Sequence, residues 1–253
     1  MRTRLLASVL EIVERNARTR DGMQLFEVGP VYLYKDAQTL PEEADRLVLV
    51  MTGYREEPAF DREVNPPFDF FDMKGAVEQL VQGTHIPVTY EQGEAPAFHP
   101  GKCAAVKSGE KRIGHFGELH PLVAKQFELA GLTVMAAEFD LHVLLELMPA
   151  WYDSQPVPAY PPILEDLAII VPEEMPAGRV ENVIRKSGAR LLESVRLFDI
   201  YRGEQVGQNH KSLAYSLTYR APDRTLTDKD ATDIRQRIIQ ALETELNAKI
   251  RSQ

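Results

Sequence analysis

The chain has few of the residues that cross-link a protein or anchor it in a membrane. A single cysteine, Cys103, among 253 residues excludes an internal disulfide and suits a reducing compartment. No apolar run approaches the ~20 residues that a membrane-spanning helix needs. Glu11, Glu14 and Arg15 interrupt the basic and then apolar start of the chain too early for a signal peptide. We therefore expect a soluble, cytoplasmic protein that does not contact a membrane.

The chain also lacks the short motifs that would specify a catalytic centre. Glycine-rich nucleotide loops, the G-x-S-x-G serine motif and the H-E-x-x-H zinc motif do not occur. His99, Cys103, His115 and His120 have no recognised ligand spacing, so we expect no metal site and histidines with ordinary structural roles. Two groups of carboxylates lie beside turns or helix starts, where caps are commoner than catalytic acids. We predict no catalytic residue among them. The two groups are Asp36, Glu42 and Glu43, and Asp69, Asp72 and Glu78.

Proline and charge divide the chain. Residues 148–162 contain five of the 17 prolines, which favours an extended linker. We place it at 151–159, between domains at 1–150 and 160–253, and expect Trp151 to pack it onto a domain. Residues 1–156 carry 15 Lys and Arg against 24 Asp and Glu, whereas residues 157–253 carry 14 of each. The whole net charge of -9 therefore lies in the first part, which suggests different partners for the two parts.

The second part has the pattern of a ferredoxin-like fold. Four short runs rich in β-forming residues predict strands at 167–171, 192–201, 212–219 and 248–251. Apolar residues at helical spacing predict a helix at 178–186 and a longer helix that Thr227 caps. This β-α-β-β-α-β order predicts a four-stranded antiparallel sheet with two helices on one face. Strict alternation would place Val195, Leu197, Asp199 and Tyr201 on one face of their strand.

The first part is predicted to be a mixed α+β domain. An amphipathic helix at 3–16 is expected to need a protein partner to cover its apolar stripe, as is the segment after Asp69. A helix that starts at Asp69 is expected to bury Phe71, Val77 and Leu80. The other predicted elements are strands at 23–28 and 31–34, broken by Gly29-Pro30, a strand at 46–52, a hairpin of 104–107 with 112–116, a helix at 121–129, a strand at 133–139 and a helix at 141–147.

Basic and aromatic residues cluster on the strands and loops of the second part. Stacking rings beside phosphate-binding cations are what single-stranded RNA requires. If the strand register is as alternation predicts, Tyr201, Tyr215 and Tyr219 share one face of the sheet. The candidate RNA-binding residues are Phe198, Tyr201, Arg202, Lys211, Tyr215, Arg220 and Arg224.

Several segments resemble a known family. The second part resembles the ferredoxin-fold anticodon-binding domain of bacterial phenylalanyl-tRNA synthetase beta subunits, and the first part resembles the catalytic-like module of the same subunits, which has the class II synthetase fold. The second resemblance rests on YP (160–161), EDLAIIVP (165–172), LFDIYRG (197–203), HKSLAY (210–215) and DRTLTD (223–228). The first rests on MRTRLL (1–6), LFEVGPVYL (25–33), DFFDMKG (69–75), HPGKC (99–103) and GHFGELHP (114–121).

The resemblance implies a C-terminal portion of a beta subunit with no catalysis of its own. Leu33 stands where class II enzymes carry an ATP-binding arginine, and the arginine-bearing third motif is absent. The family has an arginine where Glu165 stands, which argues against an RNA phosphate contact there. The resemblance further implies a catalytic alpha subunit and tRNA as partners in an alpha2beta2 heterotetramer, with ATP and magnesium only in the whole enzyme. Counterparts of the family's N-terminal parts are missing, so we expect Met1 to begin a shortened form.

Two other functions remain open at the level of sequence. The β-α-β-β-α-β order is also that of small-molecule regulatory domains, which would have an enclosed apolar pocket instead of an open cationic face. A standalone enzyme is the third possibility, and Leu33 argues against it.

Overall fold

The computed structural model describes residues 1–56, 59–60, 65–152 and 157–251. The chain divides into two compact units, residues 1–153 and 154–253. Of the expected linker at 151–159, residues 153–156 lie outside the described part, so its conformation stays a prediction. Trp151 does not pack onto the first unit as expected, since it is 83% exposed. Tyr152 provides the contact instead: its ring stacks on His85, with the centroids 3.7 Å apart.

The first unit is an antiparallel sheet with helices on both faces. The strand order is β1-β2-β6-β5-β4-β3, with every pair antiparallel, which confirms the expected α+β class. One core lies between α1 and the sheet, and a second core lies between the sheet and α2 with α4. The strands are β1 (Gly22–Leu33), β2 (Glu42–Gly53), β3 (Thr89–Gln92), β4 (Phe98–Ser108), β5 (Lys111–Leu119) and β6 (Val134–Asp140). The helices are α1 (Leu5–Ala17), α2 (Phe70–Thr84), α3 (Pro121–Gln126) and α4 (Leu141–Leu147).

The apolar stripe of α1 is covered by the unit's own sheet. Its side chains are almost completely buried in the core that they share with Val48 and Val134. The expectation that a partner covers this stripe is therefore wrong. Large exposed apolar side chains lie instead on the edge strand β1, where Phe26 is 77% exposed and Val28 is 53% exposed. The stripe consists of Leu5, Leu6, Val9, Leu10 and Val13.

Strand β1 continues through Gly29-Pro30, where the sequence predicted a break. Gly29 pairs with Arg46, and Pro30 pairs with Asp45. Because β1 is an edge strand, the missing N–H of Pro30 costs no ladder hydrogen bond on the open side. The short strand β3, whose residues are all partly or fully exposed, was not predicted.

Helix α2 begins where the sequence predicted, with Asp69 as its N-cap. The Asp69 carboxylate accepts hydrogen bonds from the N–H groups of Phe71 and Asp72, and the Asp72 carboxylate accepts one from the N–H of Asp69. Arg55 contacts both carboxylates at 2.8 and 2.9 Å. This pair thus serves as a helix cap, the commoner role for such residues. Phe71 is not buried as expected, since it is 72% exposed.

The second unit has the expected ferredoxin-like order. Its sheet runs β10-β7-β9-β8, antiparallel throughout, and its two helices pack on each other and on one face of the sheet. No helix in the described part of either unit is long and apolar enough to cross a membrane. The elements are β7 (Ile163–Pro172), α5 (Ala177–Gly188), β8 (Leu192–Tyr201), β9 (His210–Tyr219), α6 (Asp228–Leu246) and β10 (Lys249–Ile250), with 3-10 turns at Ala189–Leu191 and Glu204–Val206.

Candidate nucleic-acid interface

The sheet of the second unit has one face without helices, which we call the open face. Residues paired across antiparallel strands point to the same face, so the pairs Ala168 with Ala214 and Asp166 with Ser216 mark it. Their neighbours Leu167, Tyr215 and Leu217 point the other way into the core. The centre of the open face therefore carries small side chains, which let a flat ligand approach the backbone closely. These central residues are Ala168, Ala214, Ser216 and Thr218, whereas Ser212 on the same face is buried.

A β-bulge in β8 decides which of its side chains reach the open face. Leu197 pairs with Tyr215, but Asp199 pairs with Ala214, so Phe198 is the extra residue. Such an insertion reverses the alternation beyond it. Leu197 consequently packs against the core, whereas Asp199 and Tyr201 lie on the open face. The expectation that these three share one face is therefore wrong.

Three basic residues lie on or beside the open face. Arg196 is opposite Ser216, and Lys249 is opposite Ile170. Both are exposed, and neither forms an ion pair with another residue that the structure describes. Arg251 follows β10 and donates its backbone N–H to the carbonyl of Ala168. Arg196 and Lys249, which form no ion pair with a described residue, therefore accompany the small side chains, together with the carboxylates of Asp166 and Asp199.

Tyr201 is held in a cation–π contact that spans the sheet. The guanidinium of Arg251 lies 4.9 Å from the centroid of the Tyr201 ring, and it also donates to Gln205 at 2.6 Å. Since β10 and β8 are the two edge strands, this contact crosses the open face. Tyr201 is 36% exposed, and Phe198 at the bulge is 49% exposed. These two rings are the candidates for base stacking that the structure leaves accessible.

Tyr215 does not lie on the open face. Its ring is fully buried beneath the helices, and its hydroxyl donates a hydrogen bond of 2.9 Å to the carbonyl of Ala177. Burial, followed by the charge of Glu181, raises the pKa of this phenol. Tyr219 is buried in the same core. Tyr215 is thus a core residue, and its assignment as a stacking residue is corrected.

Arg202 and Lys211 lie at one end of the sheet and share the residue Glu173. The Arg202 guanidinium donates to the Glu173 carboxylate at 2.8 and 3.0 Å, while the Lys211 ammonium donates to the Glu173 carbonyl at 2.7 Å. The hydrogen bond with Arg202 lowers the pKa of the Glu173 carboxyl. The charge of Arg202 is therefore already matched within the protein.

Arg220 and Arg224 lie at the opposite end of the sheet, and each forms an ion pair with a carboxylate of the protein. Arg220 donates to the carboxylate of Glu193 at 3.0 Å and to the carbonyl of Tyr160 at 2.7 Å. Arg224 makes two bonds of 2.8 Å to the Asp230 carboxylate, which belongs to the capping box of α6. Nine residues of strand separate Lys211 from Arg220, which is a distance of about 30 Å.

The structure therefore does not bring the seven predicted residues together. Tyr201 lies on the open face, Phe198 is the exposed extra residue of the bulge, the four cations lie at two distant ends, and Tyr215 lies in the core. The sequence prediction missed Arg196, Lys249 and Arg251. Alternation with the buried Val195 and Leu197 already put Arg196 on the other face of its strand, so its position could have been predicted.

The remaining candidate residues have structural explanations. The Nδ1 atoms of His99 and His120 accept hydrogen bonds from backbone N–H groups, and His120 is the N-cap of α3. Cys103 is buried, which raises the pKa of its thiol. Glu165 pairs with Leu217 on the helix-covered face and so does not point to the open face. Leu33 ends β1 opposite Glu42.

Two family models match this chain, one in each of its two structural units. The family model of the phenylalanyl tRNA synthetase beta chain CLM domain matches residues 1–141, and that of the ferredoxin-fold anticodon binding domain matches residues 158–251. The phenylalanine–tRNA ligase beta subunit of Symbiobacterium thermophilum is 40% identical over all of this chain, and that of Clostridium acetobutylicum is 36% identical over 99% of it. The chain spans only 28% and 30% of the lengths of these two relatives.

Among solved structures, the pyrrolysyl-tRNA synthetase of Desulfitobacterium hafniense is 17% identical. The match covers 57% of this chain and 48% of that one, with a TM-score of 0.42, which is too low to support an argument. The family models carry the assignment, since one matches more than half of the chain and the other matches most of the remainder. The chain belongs to the phenylalanyl-tRNA synthetase beta-chain family.

Proposed function

We propose that this chain is part of the beta subunit of a phenylalanine–tRNA ligase and that its second unit binds tRNA near the anticodon through the open face. The observation that carries this proposal is the open face itself, in a unit that matches the anticodon-binding family model. Small central side chains, the accessible Tyr201, and Arg196 and Lys249 without an ion pair to any described residue are what stacking bases and phosphates require.

Charge reversal on the open face tests the RNA part of the proposal. We expect Arg196→Glu to weaken binding of tRNA(Phe) by roughly tenfold, because a phosphate-binding cation becomes an anion. Arg237→Glu is the matched control, since Arg237 is exposed on α6, away from the open face. Filter binding should report the loss of affinity. Nuclease footprinting of the parent chain should show protection of the anticodon loop. Equal effects of the two variants, or protection confined to the acceptor end, would contradict the proposal.

We propose that the first unit binds the catalytic alpha subunit and does not itself activate phenylalanine. Phe26 and Val28 on the edge strand β1 offer apolar area that a partner protein would bury. The resemblance to class II enzymes implies that Leu33 stands where an arginine would hold ATP, and an isobutyl group cannot form the charge-assisted bonds of a guanidinium.

Co-expression with an alpha subunit tests both statements. We expect the chain to co-purify with the alpha subunit, while the chain alone has no ATP–pyrophosphate exchange above background. Leu33→Arg should remain inactive, because no second ATP-binding motif supports the arginine. Exchange by the isolated chain would refute the non-catalytic assignment, and a chain that elutes separately from the alpha subunit would refute the partner.

A further inference from the structure

A second surface, on the first unit, has the features of a small-molecule site. A cavity of about 440 Å³ lies between the start of α2 and the strands β3, β4 and β5. That volume is within the range of ligand pockets in proteins. Four aromatic rings line it, and we call them the aromatic cluster: Phe70, Phe71, Tyr90 and Phe116.

The rings of the aromatic cluster contact one another in series, and Phe71 at one end of the series is exposed. Phe70 stacks on Phe116 with the centroids 5.1 Å apart, and Phe71 meets Phe70 edge-on at 5.8 Å. Tyr90 meets Phe116 edge-on at 6.0 Å. These are the favourable arrangements of aromatic pairs. Since Phe71 is 72% exposed, a further ring can add to the cluster without displacing core residues.

The rim of the cavity carries two ammonium groups. Lys74 lies with its Nζ 5.2 Å from the Tyr90 centroid, and Lys102 also lines the cavity. Lys74 pairs with Glu78, and Lys102 pairs with Glu118 at 2.5 Å. Such partly exposed pairs are weak, and an ammonium has three donors, so each lysine can bind a second carboxylate.

The other polar groups at the cavity are compatible with an anion. The carboxylate of Glu91 is bound to Lys107 at 2.6 Å. The Tyr90 hydroxyl makes no hydrogen bond to another residue in the described part of the chain. Burial, followed by the charge of Glu78, raises the pKa of Tyr90 to about 12, so the phenol remains a donor at neutral pH.

We propose that this cavity binds a small molecule with one aromatic ring and one carboxylate. The ring adds to the aromatic cluster beside Phe71, and the carboxylate accepts hydrogen bonds from Lys74 and Lys102. This site belongs to the first unit and is independent of tRNA binding by the second.

Calorimetric titration of the full chain with 3-phenylpropionate tests the proposal. We expect saturable 1:1 binding with a dissociation constant on the order of 1 mM, as is usual for so small a ligand. 3-Phenylpropanamide lacks the charge and 3-cyclohexylpropionate lacks the aromatic ring, so each should bind at least about fivefold more weakly. Absence of saturable binding, or equal binding of all three compounds, would overturn the proposal.

Matched variants locate the site. Phe71→Ser and Lys74→Met should each weaken binding of 3-phenylpropionate by roughly fivefold. Phe60→Ser removes another exposed phenylalanine, and Lys111→Met removes a lysine paired with Glu146, both outside the cavity. These two controls should bind like the parent chain, and circular dichroism should show that all four variants are folded. If a control loses as much affinity as its partner variant, the cavity is not the site.

Discussion

The hydroxyl of Tyr215 distinguishes a core role from an RNA-binding role. It bonds to the carbonyl of Ala177 inside the core and cannot reach the open face. We expect Tyr215→Phe to lower the free energy of unfolding by about 1 kcal/mol, since the hydrogen bond from its hydroxyl to Ala177 is lost. The affinity for tRNA should not change.

Urea unfolding and filter binding measure both effects, with Tyr201→Phe as the control. That variant makes the same chemical change on an accessible ring and should leave the stability unchanged. A Tyr215→Phe variant with full stability but weaker tRNA binding would restore the stacking role.

The same residue explains why the site was harder to predict than the fold. Hydrophobic periodicity and caps locate elements without knowledge of register. Which face a tyrosine occupies depends on register, because a slip of one residue exchanges the faces. On β9, however, Tyr215 and Tyr219 share their half of the strand with Leu213 and Leu217 and alternate with small residues, so the hydrophobic pattern already favoured burial of both rings.

At the scale of elements, the sequence predicted the features that depend only on neighbouring residues, such as helix starts. The predicted start of α6 is confirmed, with Thr227 as its N-cap. A threonine cap followed by acidic residues is a strong local signal for a helix start. The bulge at Phe198 was not predictable, because it depends on the pairing of β8 with β9. The continuity of β1 through Pro30 likewise depends on its edge position, which only the sheet order reveals.

Asp230 links the stability of α6 to pH. Its carboxylate accepts hydrogen bonds from Arg224 at 2.8 Å and from the N–H and hydroxyl of Thr227 at 2.8 and 2.7 Å. The hydrogen bond from Arg224, followed by those from Thr227, lowers the pKa of Asp230. The folded state thus favours the ionised carboxylate. This stabilisation is complete above the unfolded pKa of about 3.9 and is lost as the pH falls through the lower, folded value.

We therefore expect Asp230→Asn to lower the melting temperature at neutral pH, and the difference from the parent chain to shrink below about pH 4. Asp233→Asn is the control, since Asp233 is exposed on the same helix and its side chain makes no hydrogen bond with another residue of the described part. Thermal melts between pH 7 and 3 provide the measurement. A difference that stays constant or grows in acid would contradict the assigned role.

At the scale of the whole molecule, the two units differ in charge, which suits the different kinds of partner proposed for them. The first 156 residues carry the entire net charge of -9, so their field repels RNA. The second unit is neutral overall, and its described ion pairs neutralise Arg185, Arg202, Arg220 and Arg224. On the proposed RNA-binding surface, the attraction of tRNA would come from the few cations of the open face.

Because the open face has few cations, we predict a shallow dependence of tRNA affinity on salt. With Arg196, Lys249 and Arg251 as the phosphate contacts, and about 0.7 counterions released per contact on a single strand, the slope of log K against log salt should be about -2. Lys249→Ala should make the slope shallower by about 0.7, whereas Lys229→Ala should not change it, because Lys229 lies in the first turn of α6. Binding isotherms of the full chain with tRNA(Phe) at increasing potassium chloride give both slopes. A slope steeper than about -5 would require many more phosphate contacts than the open face provides, and it would assign tRNA binding to another surface.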